Sequence, residues 1–141
     1  MRILKFTAQA SNVVLVFKGF EVGRDRKVLI DKMRTQQILI NLIQNAIKFS
    51  NDGDEVIVSL EQFVVANPQK SIGVYIRVTD KGIGLSEADR KDLFRMNFRT
   101  DNEESRRKNP NSHGIGLRTC KKFAQILGGD LACTSEVGEG G

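Results

Sequence analysis

Two periodicities run along the chain and divide it into helices and strands. The stretch QQILINLIQNAIKFS, residues 36–50, carries apolar residues at helical spacing and predicts a helix over about 33–49. At 100° per residue, Ile38, Leu39, Leu42, Ile43, Ala46 and Phe49 form a broad apolar face. Gln37, Asn41, Gln44, Asn45 and Lys48 fall in one narrow strip beside it, with Ile40 and Ile47 bordering the strip's other side. EVIVSLEQFVV (55–65) and IGVYIRVTD (72–80) alternate with period two instead. Separated by the turn-like ANPQKS, they predict an antiparallel pair of strands. Shorter apolar runs predict a strand or hairpin in NVVLVFKGFEV, a short strand in KVLI and a last strand in DLACTS. A short helix is expected around 86–94. GIGLRTCKKFAQILGG reads as a glycine loop opening a helix, with Leu117, Cys120, Ala124 and Leu127 on one face and Gly128–Gly129 as its stop. Residues 95–113 are polar with no sustained apolar period, and a loop of that length inside a compact domain is usually functional or disordered.

Composition narrows the class. At 141 residues the chain fits one domain with a real core, and 40% hydrophobic with 28% charged residues suits a globular protein. No apolar run reaches the ~18 residues of a membrane span. That leaves open a cytosolic portion of a larger membrane protein. The net charge of +5 is dispersed, and with 6% aromatics, no Trp and one Tyr, stacking-based nucleic-acid binding is unsupported. Cys120 and Cys133 lack metal-ligand spacing and read as core thiols in a reducing compartment.

The polar strip on the long helix carries the first chemical signal. A solvated strip favours Glu, Lys and Arg, because Asn is a poor helix former whose side chain competes for the backbone. Asn41 and Asn45, one turn apart and walled by apolar groups, suggest the floor of a polar cleft. Asp80 carries the second. It continues the register of Ile72, Val74, Ile76 and Val78, so period two aims a carboxylate at the buried side. A buried carboxylate needs a donor. That donor is either a local turn with Gly82 or a ligand such as the exocyclic amine of a purine, whose approach Gly82 and Gly84 would permit. The third signal is SHGIGL running into a helix N-terminus, where free N–H groups suit phosphate. Arg118 in that helix's first turn favours an anion nearby, or is simply exposed.

Together NLIQNAIKF, DKGIGL, LFRMNFR and HGIGLRTCKKFAQILGG resemble, in order, the ATP-binding domain of sensor histidine kinases, over about residues 20–141. The superfamily also holds gyrase-type topoisomerases, heat-shock chaperones and mismatch-repair ATPases. The resemblance implies an α+β fold, a two-layer α/β sandwich with helices on one face of a mixed, largely antiparallel sheet. It implies a single domain over 1–141, ending just before a final strand, with an ATP lid at about 95–113. Asn45 resembles the asparagine that coordinates Mg²⁺, with Asn41 beside it, and Lys48 a phosphate-contacting base. Asp80 resembles the adenine-reading aspartate, with Gly82 and Gly84 accommodating the base. Gly114 and Gly116 resemble phosphate-wrapping glycines, flanked by His113 and Arg118.

The resemblance further implies transfer of the γ-phosphoryl group of Mg·ATP to a histidine on a separate dimerisation domain, and from there to a receiver domain, in two-component signalling. The location implied is cytoplasmic, within a parent that could be membrane-bound, with no nucleic-acid partner and no direct membrane contact by this fragment. ATP-hydrolysing branches typically carry a glutamate where Asn41 stands, and an amide cannot act as a general base near neutral pH. No residue is therefore assigned as a catalytic base. Asn97 stands where a second phenylalanine is expected, and Ser112 where a first glycine is. The only histidine, His113, falls in the lid rather than on a preceding helix. Three alternatives stay open: an ATP-hydrolysing switch, a protein-serine kinase of the same superfamily, and a degenerate nucleotide-binding module.

Overall fold

The computed structural model describes residues 2–19, 30–64, 72–95, 103 and 115–141. Helix α1 (Arg2–Ala10) comes first, where the sequence patterns assigned no element. Leu4 and Ala8, one turn apart, are both buried. The Thr7 hydroxyl donates to the Ile3 carbonyl at 3.0 Å, and the chain leaves the helix through Asn12 at φ 48°, a left-handed conformation that Asn tolerates. The signal available was the Leu4–Ala8 spacing followed by Ser11–Asn12.

Strand β1 (Val14–Lys18) lies parallel to β2 (Glu55–Val64), with Val14 opposite Glu55 and Lys18 opposite Ser59. Parallel neighbours need a crossover, and helix α2 (Lys32–Phe49) supplies it. Its start is fixed by Asp31, whose carboxylate accepts from the Arg34 N–H at 3.0 Å. Its end is fixed by Ser50, whose hydroxyl donates to the Ala46 carbonyl at 2.7 Å. Strand β3 (Ile72–Thr79) runs antiparallel to β2, with Ile57 opposite Thr79 and Phe63 opposite Gly73. The described sheet is thus mixed, in the order β1-β2-β3, and its longer ladder is antiparallel. Helix α3 (Glu87–Asp92), capped by Ser86, and α4 (Gly116–Ile126) complete the elements.

One core joins these layers. Leu4, Ala8, Val13, Ile43, Ala46, Ile47, Val56 and Val58 are buried together, with Leu39, Ile76 and Val78 packed alongside. Helices α1 and α2 therefore cover the sheet face from which Val56 and Val58 project, and α4 packs on α2. Ile40 and Ile47, which border the strip's other side, differ in environment: Ile47 is 1% exposed at the centre of the core, while Ile40 is 38% exposed. One expectation needs correction. DLACTS forms no ladder with any described strand, and its start is held instead by Lys121, which donates to the Leu131 carbonyl at 2.9 Å. Of KVLI, only Ile30 is described, and it lies outside any strand.

Candidate functional site

Along α2 the strip splits by environment. Asn41 and Asn45 are half-buried, whereas Gln37, Gln44 and Lys48 are exposed. Asn41 faces α4. A side chain at Gly116 would begin 3.7 Å from Asn41 Oδ1, and Asn41 is near enough to the Cys120 thiol to favour its ionised form. Cys120 is fully buried, and that burial raises its pKa. The first turn of α4 carries no acidic residue, and Ile115 gives it no side-chain cap. Its N–H groups and half-buried Arg118 make that end of α2's polar strip electropositive.

Asp80 lies just beyond β3, facing inward as period two requires. Val74, Ile76, Val78 and Asp80 are half-buried while Tyr75, Arg77 and Thr79 are exposed. Gly82 N–H donates to Asp80 Oδ1 at 2.9 Å, the only donor to that carboxylate among the described residues. Burial raises the Asp80 pKa and the nearby Asp54 charge adds to the effect, while the Gly82 N–H opposes both. The Cys133 thiol is also raised, by burial first and then by the Asp80 charge, with Arg90 opposing.

The glycines of the Asp80 loop serve close packing. A Cβ on Gly82 would come within 2.5 Å of the Phe49 carbonyl oxygen at the end of α2. A Cβ on Gly84, at φ +66°, would lie 1.8 Å from the Glu136 carbonyl oxygen. Protein fills the space a side chain would take at both positions, so their smallness admits α2 and the C-terminal segment to the loop.

Helix α2 therefore links two polar places, the Asp80 loop at Phe49 and the start of α4 at Asn41. They lie eight positions apart on the helix, about 12 Å along the axis. No group of three or more His, Cys, Asp or Glu that could hold a metal occurs among the described residues. A cation here would meet neutral amide oxygens and would depend on its ligand's own charge, which suits Mg²⁺ carried by phosphates. His113, Gly114 and nearly all of the expected lid lie outside the described residues. Two features escaped the sequence patterns. One is the thiol of Cys120 against Asn41. The other is the segment 135–141, in which Ser135 is buried and Gly138 and Gly140 both adopt φ 84°. Ser-x-x-Gly-x-Gly was a visible turn signal, but nothing local told which part of the chain it would meet.

Comparison with known proteins adds the family. Residues 30–141 match the model described as histidine kinase-, DNA gyrase B- and HSP90-like ATPase. The adaptive-response sensory kinase SasA of Prochlorococcus marinus is 37% identical over 116 residues, covering 80% of this chain and 27% of SasA. The virulence sensor protein BvgS of Bordetella bronchiseptica is 34% identical over 141 residues, covering 99% of this chain and 11% of BvgS. The chain thus spans about a quarter or less of these relatives. In fold it is similar to full-length ShkA, solved in complex with AMPPNP, with a TM-score of 0.75 at 23% identity over 99% of this chain and 26% of that one. It is also similar to the catalytic domain of histidine kinase ThkA, with a TM-score of 0.68 at 22% identity over 89% of this chain and 72% of that one.

Proposed function

The chain belongs to the histidine kinase-, DNA gyrase B- and HSP90-like ATPase family, and from that premise we propose that it is the ATP-binding, phosphoryl-donating domain of a sensor histidine kinase. Its relatives include sensory and sensor histidine kinases. Asp80 accepts the exocyclic amine of adenine, and the triphosphate runs along α2 toward Asn41, Asn45 and the start of α4. Lys48, Arg118 and the lid residues His113 and Gly114 contact phosphate. Asn45, with Asn41, supplies amide oxygens to Mg²⁺, which when bound neutralises phosphate charge. The chain's own contribution is positioning and charge stabilisation for in-line transfer to a histidine on a separate dimerisation domain, which then serves a receiver domain. The domain extends over the whole chain, 1–141, as the cytosolic part of a longer kinase.

Asp80 carries this reading. It is a half-buried carboxylate with one donor among the described residues and a raised pKa, placed where the loop meets α2. A structural Asp at a strand end gains little from such burial, whereas an acceptor that must reject other bases requires it. Asn41 favours transfer over hydrolysis, since an amide has no basic character near neutral pH. Calorimetric titration with Mg·ATP and Mg·GTP tests the reading. Tighter binding of ATP is expected, with the preference largely lost in Asp80→Asn. Equal binding of the two nucleotides by the parent chain would overturn the assignment.

A further inference from the structure

Hydrogen bonds from residues 135–141 hold the loop 80–85 from outside. Asp80 N–H donates to the Gly141 carbonyl at 2.8 Å, and Gly141 N–H returns a bond to the Asp80 carbonyl at 3.3 Å. Gly138 N–H donates to the Ile83 carbonyl at 2.9 Å. Leu85 N–H donates to Ser135 Oγ at 2.9 Å, across fifty residues of chain. The loop is thus gripped at its start, middle and end by residues 135–141.

Ser135 ties that grip together. Its side chain also donates to the Gly140 carbonyl at 2.5 Å, which closes the turn on itself. Its own carbonyl accepts from Arg90 Nη1 at 3.1 Å, fastening the turn to α3. Ser135 is 9% exposed, so water cannot readily replace these bonds, and without the hydroxyl the buried Gly140 carbonyl would lose its 2.5 Å bond. The backbone whose placement decides where the Asp80 carboxylate points is the same backbone that Gly141 clamps on both sides.

We infer that Ser135 is a positioning residue for adenine recognition: through the 135–141 turn it fixes the Asp80 loop, and with it the selectivity for adenine over other bases. The inference rests on Asp80 reading the base. Ser135 touches no nucleotide itself. Its removal should loosen the loop's geometry while leaving the phosphate end of the site, on α2 and α4, intact. The effect should therefore fall on base discrimination rather than on nucleotide affinity in general.

The test is a set of calorimetric titrations of the whole chain with Mg·ATP and Mg·GTP, comparing the parent with Asp80→Asn, Ser135→Ala, Ser135→Thr and the Asp80→Asn/Ser135→Ala double variant. Ser135→Ala should weaken ATP about tenfold with little effect on GTP. Ser135→Thr, which keeps the hydroxyl, should recover most of the loss. The double variant should discriminate no worse than Asp80→Asn alone, because both act on one contact. Amide exchange should quicken at Leu85 in Ser135→Ala while Val56 and Val58 stay protected, which separates loosening from unfolding. If the alanine variant does not fold, Ser135→Cys offers a similar volume with a far weaker hydrogen bond and a smaller shift in the same direction. Equal losses for ATP and GTP, or multiplicative losses in the double variant, would overturn the role of Ser135 while leaving Asp80 standing. An Asp80→Asn variant that discriminates as well as the parent would instead remove the reading on which the inference rests.

Discussion

Asp80 is an acid held where ionisation is unfavourable, by burial and by the Asp54 charge, with the Gly82 N–H opposing. An acid with a higher pKa in the folded than in the unfolded state stabilises the fold fully below the ordinary carboxylate value of 3.8. It loses that contribution as pH rises through its folded value. The nucleotide-free Asp80→Asn variant should therefore have a higher urea midpoint than the parent at neutral pH, with the gap closing toward pH 4. The same variant should weaken ATP by about 1–3 kcal/mol, the scale of a lost charged hydrogen bond. Stability gained where function is lost is the signature of a binding group; a variant less stable at neutral pH would mark Asp80 as structural. Asn45→Ala should remove most of the Mg²⁺-dependent part of ATP affinity and leave adenosine binding nearly unchanged. Equal losses for both ligands would make the Asn strip a packing feature. Asp80's inward aim was legible because strand alternation is rigid, so a register set by Val74, Ile76 and Val78 extends to the next position. Ser135 was not legible, because its hydroxyl acts on Leu85, fifty residues away.

Among the elements, α2 shows what a helical period can and cannot tell. The reading of about 33–49 agrees with Lys32–Phe49 because Asp31 and Ser50 cap a strongly apolar run. The wheel set Ile40 and Ile47 side by side at the strip's edge but could not say that only Ile47 is covered, since α2 has the sheet beneath it and α4 alongside, and periodicity alone does not say which neighbour covers which face. Ile47→Ala should cost about 2–5 kcal/mol of stability in urea denaturation. Ile40→Ala, at a partly exposed position, should cost clearly less, and comparable losses would mean that the core is centred elsewhere. Helix α1 was missed for a different reason. A nine-residue helix is marginal by itself and depends on the burial of Leu4 and Ala8 against residues far along the chain. DLACTS erred in the opposite direction, since a strand-like composition makes a strand only where an edge is available to pair with.

Over the whole molecule, one helix joins the Asp80 loop to an electropositive helix start, and the proposed nucleotide site is built on that arrangement. With His113 as the only histidine, incubation of the isolated chain with labelled ATP should give no acid-labile label. A dimeric histidine-bearing hairpin added in trans should acquire one. Label on the isolated chain, lost in His113→Ala, would contradict this division. Nucleotide binding between α2 and the Asp80 loop is the claim beneath all of these. Backbone amide shifts, followed while Mg·AMP-PNP is titrated into isotope-labelled chain, test it most directly. Saturable shifts are expected at Asn41, Asn45, Asp80, Gly82 and Gly116, with Glu61, Tyr75 and Arg77, exposed on the sheet, unmoved. No saturable shift, or shifts confined to those exposed sheet residues, would contradict it.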